Sequence, residues 1–457
     1  MDNTQNHNPE QDLAQNIELF LQGIVEASEP LPTTDSYYAG RPTTLPALVL
    51  WSGVLVAILR GFSSHLAVWR LIAWHGFWGY TPYPVSDQAV YNRLADGGGE
   101  AMRHLFYQVR DGLQARLEPY AQIDLAKFAS GVYAIDGSTL DKMGRYLPWL
   151  RDIANGDSRL LPGKMVALFD LRRQQWAEMI HLDNPNQNDK AVAHELVENL
   201  PAKSLILADL GFFGFAWFDY LTAKGYWWIS RLREKTSHEV IHTYYQSATY
   251  FDGVIWLGKH RADRAAYAVR LVQFTIGSVQ YQYITNVLDP QVLPMKEIAL
   301  LYARRWDIEL AFRMVKQYLK LHIVWSAKTE VILLQLWAVL VISQVLQAIR
   351  LEIAGLAKVD PFDISMPLLT TYVPQLALEG KNAIEMIVND GRRVGIIRPS
   401  RRIRVQTPVI DPATITPLPD NLVLIRKPRY AQRKSLPRSW PPELLELFGP
   451  ANEVAVT

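Results

Sequence analysis

Apolar residues recur at helical spacing from residue 16 to about 125, in stretches such as LPALVLWSGVLVAILRGF (45–62) and HLAVWRLIAW (65–74), with breaks at Pro and Gly. This pattern predicts an all-helical N-terminal domain. Inside it, PVSDQAVYNRLADGG (84–98) predicts a short helix capped by Ser86 or Asp87 and closed at Gly97, with Gln88, Tyr91 and Asn92 on one face. From residue 132 the pattern shortens to β-rich runs. VYAID, MVALFDL and WAEMIHL are followed by the helical KAVAHELVENL, then LILADL, the helical FAWFDYLTAKG, and YWWISRL. Three strands, a helix, a strand, a helix and a strand make an α/β fold whose first three strands form a meander. Residues 233–290 are rich in Tyr, Val, Ile and Thr between turn residues and read as a separate β-rich unit inserted into the α/β domain. Two long helical stretches follow, Pro294–Leu321 and Lys328–Leu356. The expected organisation is a disordered polar tail (1–15), the helical domain (16–125), an α/β domain in two parts (126–232 and 291–356) around the insertion, and a C-terminal region (357–457).

VILLQLWAVLVISQVLQAI (331–349) is apolar enough to suggest a membrane span. Gln335, Ser343, Gln344 and Gln347 would be costly against lipid, so a buried core helix is expected. The start, MDNTQNHNPEQDLAQN, has neither a basic nor an apolar leader region, and a soluble cytoplasmic protein with no membrane partner is expected.

The chain has 457 residues, and Cys 0 removes disulfides, thiolate nucleophiles and cysteine metal sites, leaving carboxylates and His for metal or acid/base work. The formal charge of +2 conceals an uneven distribution. Residues 391–438 hold twelve Lys or Arg against Asp411 and Asp420, a local +10 that leaves −8 for the remainder. Prolines at 399, 408, 412, 417, 419, 428 and 437 keep this arm extended, and with Arg401, Arg402 and Arg404 near its start it suits tracking a phosphate backbone. The polar face of Gln88, Tyr91 and Asn92 likewise suits a major groove.

Two carboxylates stand where buried strands end, Asp136 in AIDGSTL and Asp209 in ADLGFF, the position at which open α/β sheets usually carry their chemistry. A third comes with company in YARRWDIELAFRMVK (302–316). At about 100° per residue, with Tyr302 as zero, Arg305 falls at about −60°, Glu309 at about −20° and Lys316 at about −40°. Asp307, at about 140°, lies almost opposite Glu309, so its substitution is expected to be mild. An aromatic hydroxyl, two cations and a carboxylate on one stripe have no packing rationale. Clustered carboxylates repel one another unless cations cover them, and oxygen-only ligands select Mg²⁺ or Mn²⁺. Two such ions would suit in-line displacement at a phosphodiester, with Tyr302, Arg305 and Lys316 on neighbouring phosphates.

The spacing Tyr302-x2-Arg305-x3-Glu309-x6-Lys316, together with Asp136 and Asp209, resembles the insertion-sequence-four family of bacterial DDE transposases over about 130–355. The resemblance implies a ribonuclease-H-like core in which Asp136, Asp209 and Glu309 are catalytic and bind two divalent metals, with Tyr302, Arg305 and Lys316 on transposon-end DNA. It implies cleavage by activated water, then attack by the freed 3′-hydroxyl on the opposite strand or on target DNA, in a homodimer that holds two DNA ends. The 100 residues between Asp209 and Glu309 resemble the family's β-rich insertion. Family members set an insertion tryptophan against a flipped base, a role that falls here to Trp256 or to one of Trp227 and Trp228. Two alternatives share these residues: a ribonuclease-H-like nuclease without strand transfer, and a decayed transposase that only binds DNA. A glycoside hydrolase, suggested by 14 Trp, 21 Tyr and paired carboxylates, leaves the cationic stripe and the basic arm unexplained.

Overall fold

The computed structural model describes residues 17–27, 45–140, 152–154, 157, 161–259, 263–400, 405–430 and 440–448. The N-terminal tail, and Arg401, Arg402 and Arg404 of the basic arm, lie outside the described residues. Helices α1 (Ile17–Ala27), α2 (Ala47–Leu59), α3 (His65–Arg70), α4 (Asp87–Leu94) and α5 (Gly98–Leu117) come first. Ser86 caps α4, its Oγ accepting from the Ala89 N–H at 3.2 Å, which frees Asp87 from that role.

Then follow β1 (Val132–Thr139), β2 (Lys164–Asp170), β3 (Gln175–Leu182), α6 (Ala193–Val197), β4 (Leu205–Ala208), α7 (Phe215–Ala223) and β5 (Trp227–Arg231). The insertion supplies β6 (His238–Gln246), β7 (Tyr250–Leu257), β8 (Val269–Ile276) and β9 (Val279–Thr285). As expected, β1–β3 form an antiparallel meander, while β4 and β5 add in parallel on the other side of β1.

The insertion is not a separate sheet. Among the described residues all nine strands form one sheet, in the order β3-β2-β1-β4-β5-β9-β8-β7-β6. The junction is β5 with β9, through Ile229↔Thr285, Ser230↔Ile284 and Arg231↔Tyr283. Left alone, β5 would present a row of unpaired N–H and C=O groups, and β9 returns antiparallel beside it to satisfy them. A buried forked ion pair fastens the insertion further. Arg270 on β8 donates to Asp252 on β7 at 2.7 Å, both side chains are fully buried, and Arg270 also reaches the Leu293 carbonyl at 2.6 Å.

The next elements are α8 (Met295–Arg304), α9 (Trp306–Arg313) with a wider π turn at Met314–Tyr318, α10 (Thr329–Ala357), α11 (Met366–Leu378), α12 (Ala383–Asp390) and α13 (Pro442–Phe448). Among the described residues α10 is the one helix long and apolar enough to cross a membrane, and 94% of its apolar window is buried inside the protein. Its polar residues serve as internal fasteners. Gln335 accepts from the Trp325 N–H and donates to the Ile323 carbonyl, Ser343 accepts from the Trp176 indole at 2.8 Å, and Gln344 donates to the Phe106 carbonyl. A Cβ at Gly98 would collide with Leu334, so the glycine lets the start of α5 approach α10 closely. Nor do the N-terminal helices have a core of their own. One hydrophobic cluster runs from Leu21 and Leu55 through Leu105 to Trp176 on the sheet and Leu340 on α10.

The described part of the basic arm is mostly irregular in backbone, as the prolines require, but it is not free. Arg429 and Ile425 bridge to Arg264 and Tyr267, and the Tyr430 hydroxyl donates to Asp219 at 2.6 Å. Arg426 donates to the carbonyls of Leu257 (2.6 Å) and Ala265 (3.0 Å). These contacts direct part of the arm's positive charge onto the insertion itself.

Candidate active site

The two aspartates meet through strand register. The parallel pairing of β1 with β4 ends at Ile135↔Ala208, which brings the next residues, Asp136 on β1 and Asp209 just past the end of β4, near enough for the Asp209 charge to act on Asp136. Asp136 does not close its strand. On its other flank β1 continues to Thr139, paired with β2 through Asp136↔Ala167 and Gly137↔Val166, so the carboxylate sits where the sheet splits. Asp136 Oδ1 accepts from the Gly137 N–H at 2.8 Å, and Asp209 Oδ1 accepts from the Leu210 N–H at 2.7 Å. The side chain of Asp189, ion-paired with Lys164, lies where a Cβ at Gly137 would be, so glycine there keeps this wall of the site intact.

Glu309 arrives from α9. The predicted continuous helix 294–321 is interrupted at Arg305, whose backbone stays helical while its N–H bonds back only three residues, to the Tyr302 carbonyl at 3.2 Å. The tightened turn preserves the stripe. Arg305, 5% exposed, donates through Nη2 to Glu309 Oε1 at 2.9 Å and holds Nη1 3.5 Å from Asp136 Oδ2. The π turn keeps Lys316 on the same side, and its Nζ donates to Ser138 Oγ on β1 at 3.4 Å. Tyr302 is buried against the Tyr283 ring of β9, with centroids 5.1 Å apart. Three buried donors here have no hydrogen-bond partner: Tyr302 OH and Arg305 Nε and Nη1.

Burial is the largest influence on the Asp136 carboxyl, pushing it up to about 6; the negative charges of Glu309 and Asp209 add to this, opposed by the Gly137 N–H and Arg305. Burial also pushes the Tyr302 hydroxyl up to about 12, so it remains a donor at neutral pH. Among the described residues no three Asp, Glu or His side chains converge tightly enough to hold a metal ion. Arg305 bridges Asp136 and Glu309 instead. The donor set nevertheless fits a hard divalent cation, since three carboxylates supply only oxygen and one of them is held in an environment that disfavours its charge.

Two expectations need correction. Asp307 does lie away from Glu309, but it is 1% exposed, paired with Arg304 at 2.6 Å and bonded to Gln174, so it is a buried structural charge and not a mild position. Trp256 is 8% exposed and covered by Arg426, whose guanidinium sits 4.4 Å from its ring, so it packs in a small core under the arm. Trp228 is buried as well, stacked on Phe218 at 4.2 Å, while Trp227 is half-buried within β5. The exposed tryptophan of this region is Trp306, 56% exposed, with Arg305 5.6 Å from its ring. The sequence carried a signal for it, because helix phase puts position 306 at about 40°, on the flank of the stripe. On α4, Gln88 and Asn92 are exposed and bond to each other, whereas the Tyr91 hydroxyl is engaged with Ser326 at 2.7 Å.

Residues 127–344, which contain every member of this site, match the family model described as "Transposase DDE domain". A protein of Sinorhizobium fredii (strain NBRC 101917 / NGR234) named as transposase y4zB is 21% identical over 209 residues, covering 45% of this chain and 57% of that protein. The chain thus spans little more than half the length of this curated relative. Among solved structures, a cryo-EM piggyBac transposase synaptic complex with hairpin DNA aligns over 87% of both chains at 9% identity and a TM-score of 0.38, too remote to bear on the assignment. The two sequence matches support a DDE transposase.

Proposed function

We propose that this protein is a DNA transposase of the insertion-sequence-four type, with a ribonuclease-H-like catalytic core formed by residues 126–232 and 291–356. The observation that carries the reading is the register that sets Asp136 beside Asp209, with Arg305 bonded to Glu309 and 3.5 Å from Asp136. All of it lies inside the stretch that resembles the transposase domain.

In this reading Asp136, Asp209 and Glu309 are the catalytic carboxylates and would hold two Mg²⁺, or Mn²⁺, whose contribution is to neutralise developing charge and favour ionisation of the attacking oxygen. The chain's own groups do the positioning. Arg305 Nε and the Tyr302 hydroxyl are buried donors without a hydrogen-bond partner, the arrangement a phosphodiester's oxygens satisfy. Lys316, steadied by Ser138, adds a cation on the same side. Hydrolysis at the element's end and transfer of the freed 3′-hydroxyl are both displacements at phosphorus and need no covalent enzyme intermediate. The partners are double-stranded transposon-end and target DNA, the working form is a homodimer on DNA that cuts and pastes the element, and the site of action is the cytoplasmic nucleoid.

Incubation with Mg²⁺ and labelled end DNA tests the assignment. Wild type should give both a nick and a strand-transfer product, and Glu309→Gln should lose both while binding DNA as before. Equal cleavage by the two proteins would refute it. A nick without transfer product would favour the plain nuclease, and binding alone the decayed transposase.

A further inference from the structure

The π turn Met314–Tyr318 carries Lys316, and the way the chain leaves that turn is unusual. The last carbonyls of a helix have no partner inside it and must find donors elsewhere. Here the chain folds back over the turn. The Leu319 N–H donates to the Met314 carbonyl at 2.9 Å, the Leu321 N–H to Val315 at 3.2 Å, and the His322 N–H to Lys316 at 3.2 Å. The Lys316 carbonyl takes a second donor from the same residue. The His322 ring nitrogen Nδ1 lies 2.5 Å from it, and since a carbonyl can only accept, Nδ1 carries the proton. Both acceptor positions of that oxygen are thus filled by one residue, which fixes the orientation of the peptide group as well as its distance.

His322 works from a firm base. Before it, Lys320 stands in the left-handed region at φ 59°, a conformation that a lysine keeps only where its surroundings impose it. The Lys320 Nζ donates to the Gly61 carbonyl, just beyond α2, at 2.7 Å. After it, the Ile323 carbonyl and the Trp325 N–H are both gripped by Gln335 of the buried helix α10. The stretch 320–325 is therefore tied to the N-terminal helices and to the core helix, and His322 passes that rigidity on to Lys316. At the other end of the lysine, the 3.4 Å bond from Nζ to Ser138 is long and leaves the backbone of Lys316 to be fixed by other means.

We propose that His322 is a positioning residue for Lys316, holding its cation where it meets a phosphate of bound DNA. The inference rests on the reading of Lys316 as a phosphate contact, and His322 itself touches no DNA in it. Removing the ring donor frees one side of the Lys316 peptide group, so the loss should register as loss of the Lys316 contact.

The test titrates the full chain with labelled end DNA, as a short duplex, over a range of salt concentrations. Lys316→Ala should lower the log–log salt slope by about 0.9, one phosphate contact. His322→Ala should lower it by up to the same amount. Added to Lys316→Ala, it should change affinity by less than about twofold, because two residues serving one contact cannot lose it twice. His322→Asn, whose side-chain amide nitrogen takes the place of Nδ1, should return the wild-type slope. A lowered melting temperature with a wild-type slope in His322→Ala, or losses that multiply in the double variant, would make His322 a purely structural residue and overturn the proposal while leaving Lys316 its role. A His322→Asn slope as low as that of His322→Ala would overturn it too. A wild-type slope in Lys316→Ala would refute the reading of Lys316 and the proposal with it. Should His322→Ala not fold, His322→Phe, which keeps a ring and removes the donor, is judged by the same outcomes.

Discussion

Asp136→Asn offers the sharpest check on the electrostatics of the site. The carboxyl is raised from 3.8 to about 6, first by burial and then by Glu309 and Asp209. At about 1.4 kcal/mol per unit, that gap of about two units is an upper bound of about 3 kcal/mol on the cost of ionising Asp136 in the folded protein. Its side chain is 19% exposed, and residual solvent screening reduces the figure to about 1–2 kcal/mol. The sign follows from proton binding. Between about pH 4 and 6 the folded state holds this proton more tightly than the unfolded chain, so the contribution is fully present below about pH 4 and is lost as pH rises through 6. Without divalent cations, Asp136→Asn should match wild type near pH 4 and be about 1–2 kcal/mol more stable at pH 7.5. Urea unfolding across that range, with chelator present, measures the difference. Adding Mg²⁺ or Mn²⁺ should reverse the order at pH 7.5, because only wild type gains binding energy in the native state. A difference flat with pH, or equal stabilisation of both proteins by the cation, would refute the reasoning.

Other perturbations have distinct signatures. Asp307→Asn should destabilise the protein by about 3 kcal/mol in urea unfolding, because it strips the Arg304 guanidinium of its buried partner, while the folded fraction still cleaves DNA. Trp306→Ala should leave the melting temperature nearly unchanged, since the ring is 56% exposed, yet weaken binding to end DNA by about 1–3 kcal/mol in a mobility-shift titration. Arg270→Met, which leaves Asp252 charged and fully buried, should cost about 3–5 kcal/mol, and Arg270→Met/Asp252→Leu should recover most of it.

What could be read from the sequence was whatever depends on local spacing. Strand runs ending near Asp136 and Asp209, the helical run through Glu309 and the stripe of Tyr302, Arg305 and Lys316 all follow from periods of two or about 3.6 residues, and the structure brings these side chains together. The misses depend on partners distant in sequence. Nothing local says that β9 will pair with β5, that Gln174 will come to Asp307 from 133 positions away, or that Arg426 will cover Trp256. Phase alone set Asp307 opposite Glu309, but in this fold that side of the helix meets the turn between β2 and β3, where Gln174 bonds Asp307, and becomes interior.

The junction between β5 and β9 bears on how the chain avoids self-association. Without the insertion, the sheet would end at β5, one strand from Asp209, offering a straight hydrogen-bonding edge to any neighbouring chain beside the carboxylates. The insertion moves that edge four strands outward to β6. There the pairing slips twice, between Val240 and His242 and between Thr243 and Tyr245, and such irregular edges are poor templates for another strand. The insertion therefore also acts as a terminator of sheet growth, keeping the aggregation-prone border of the fold far from its catalytic end.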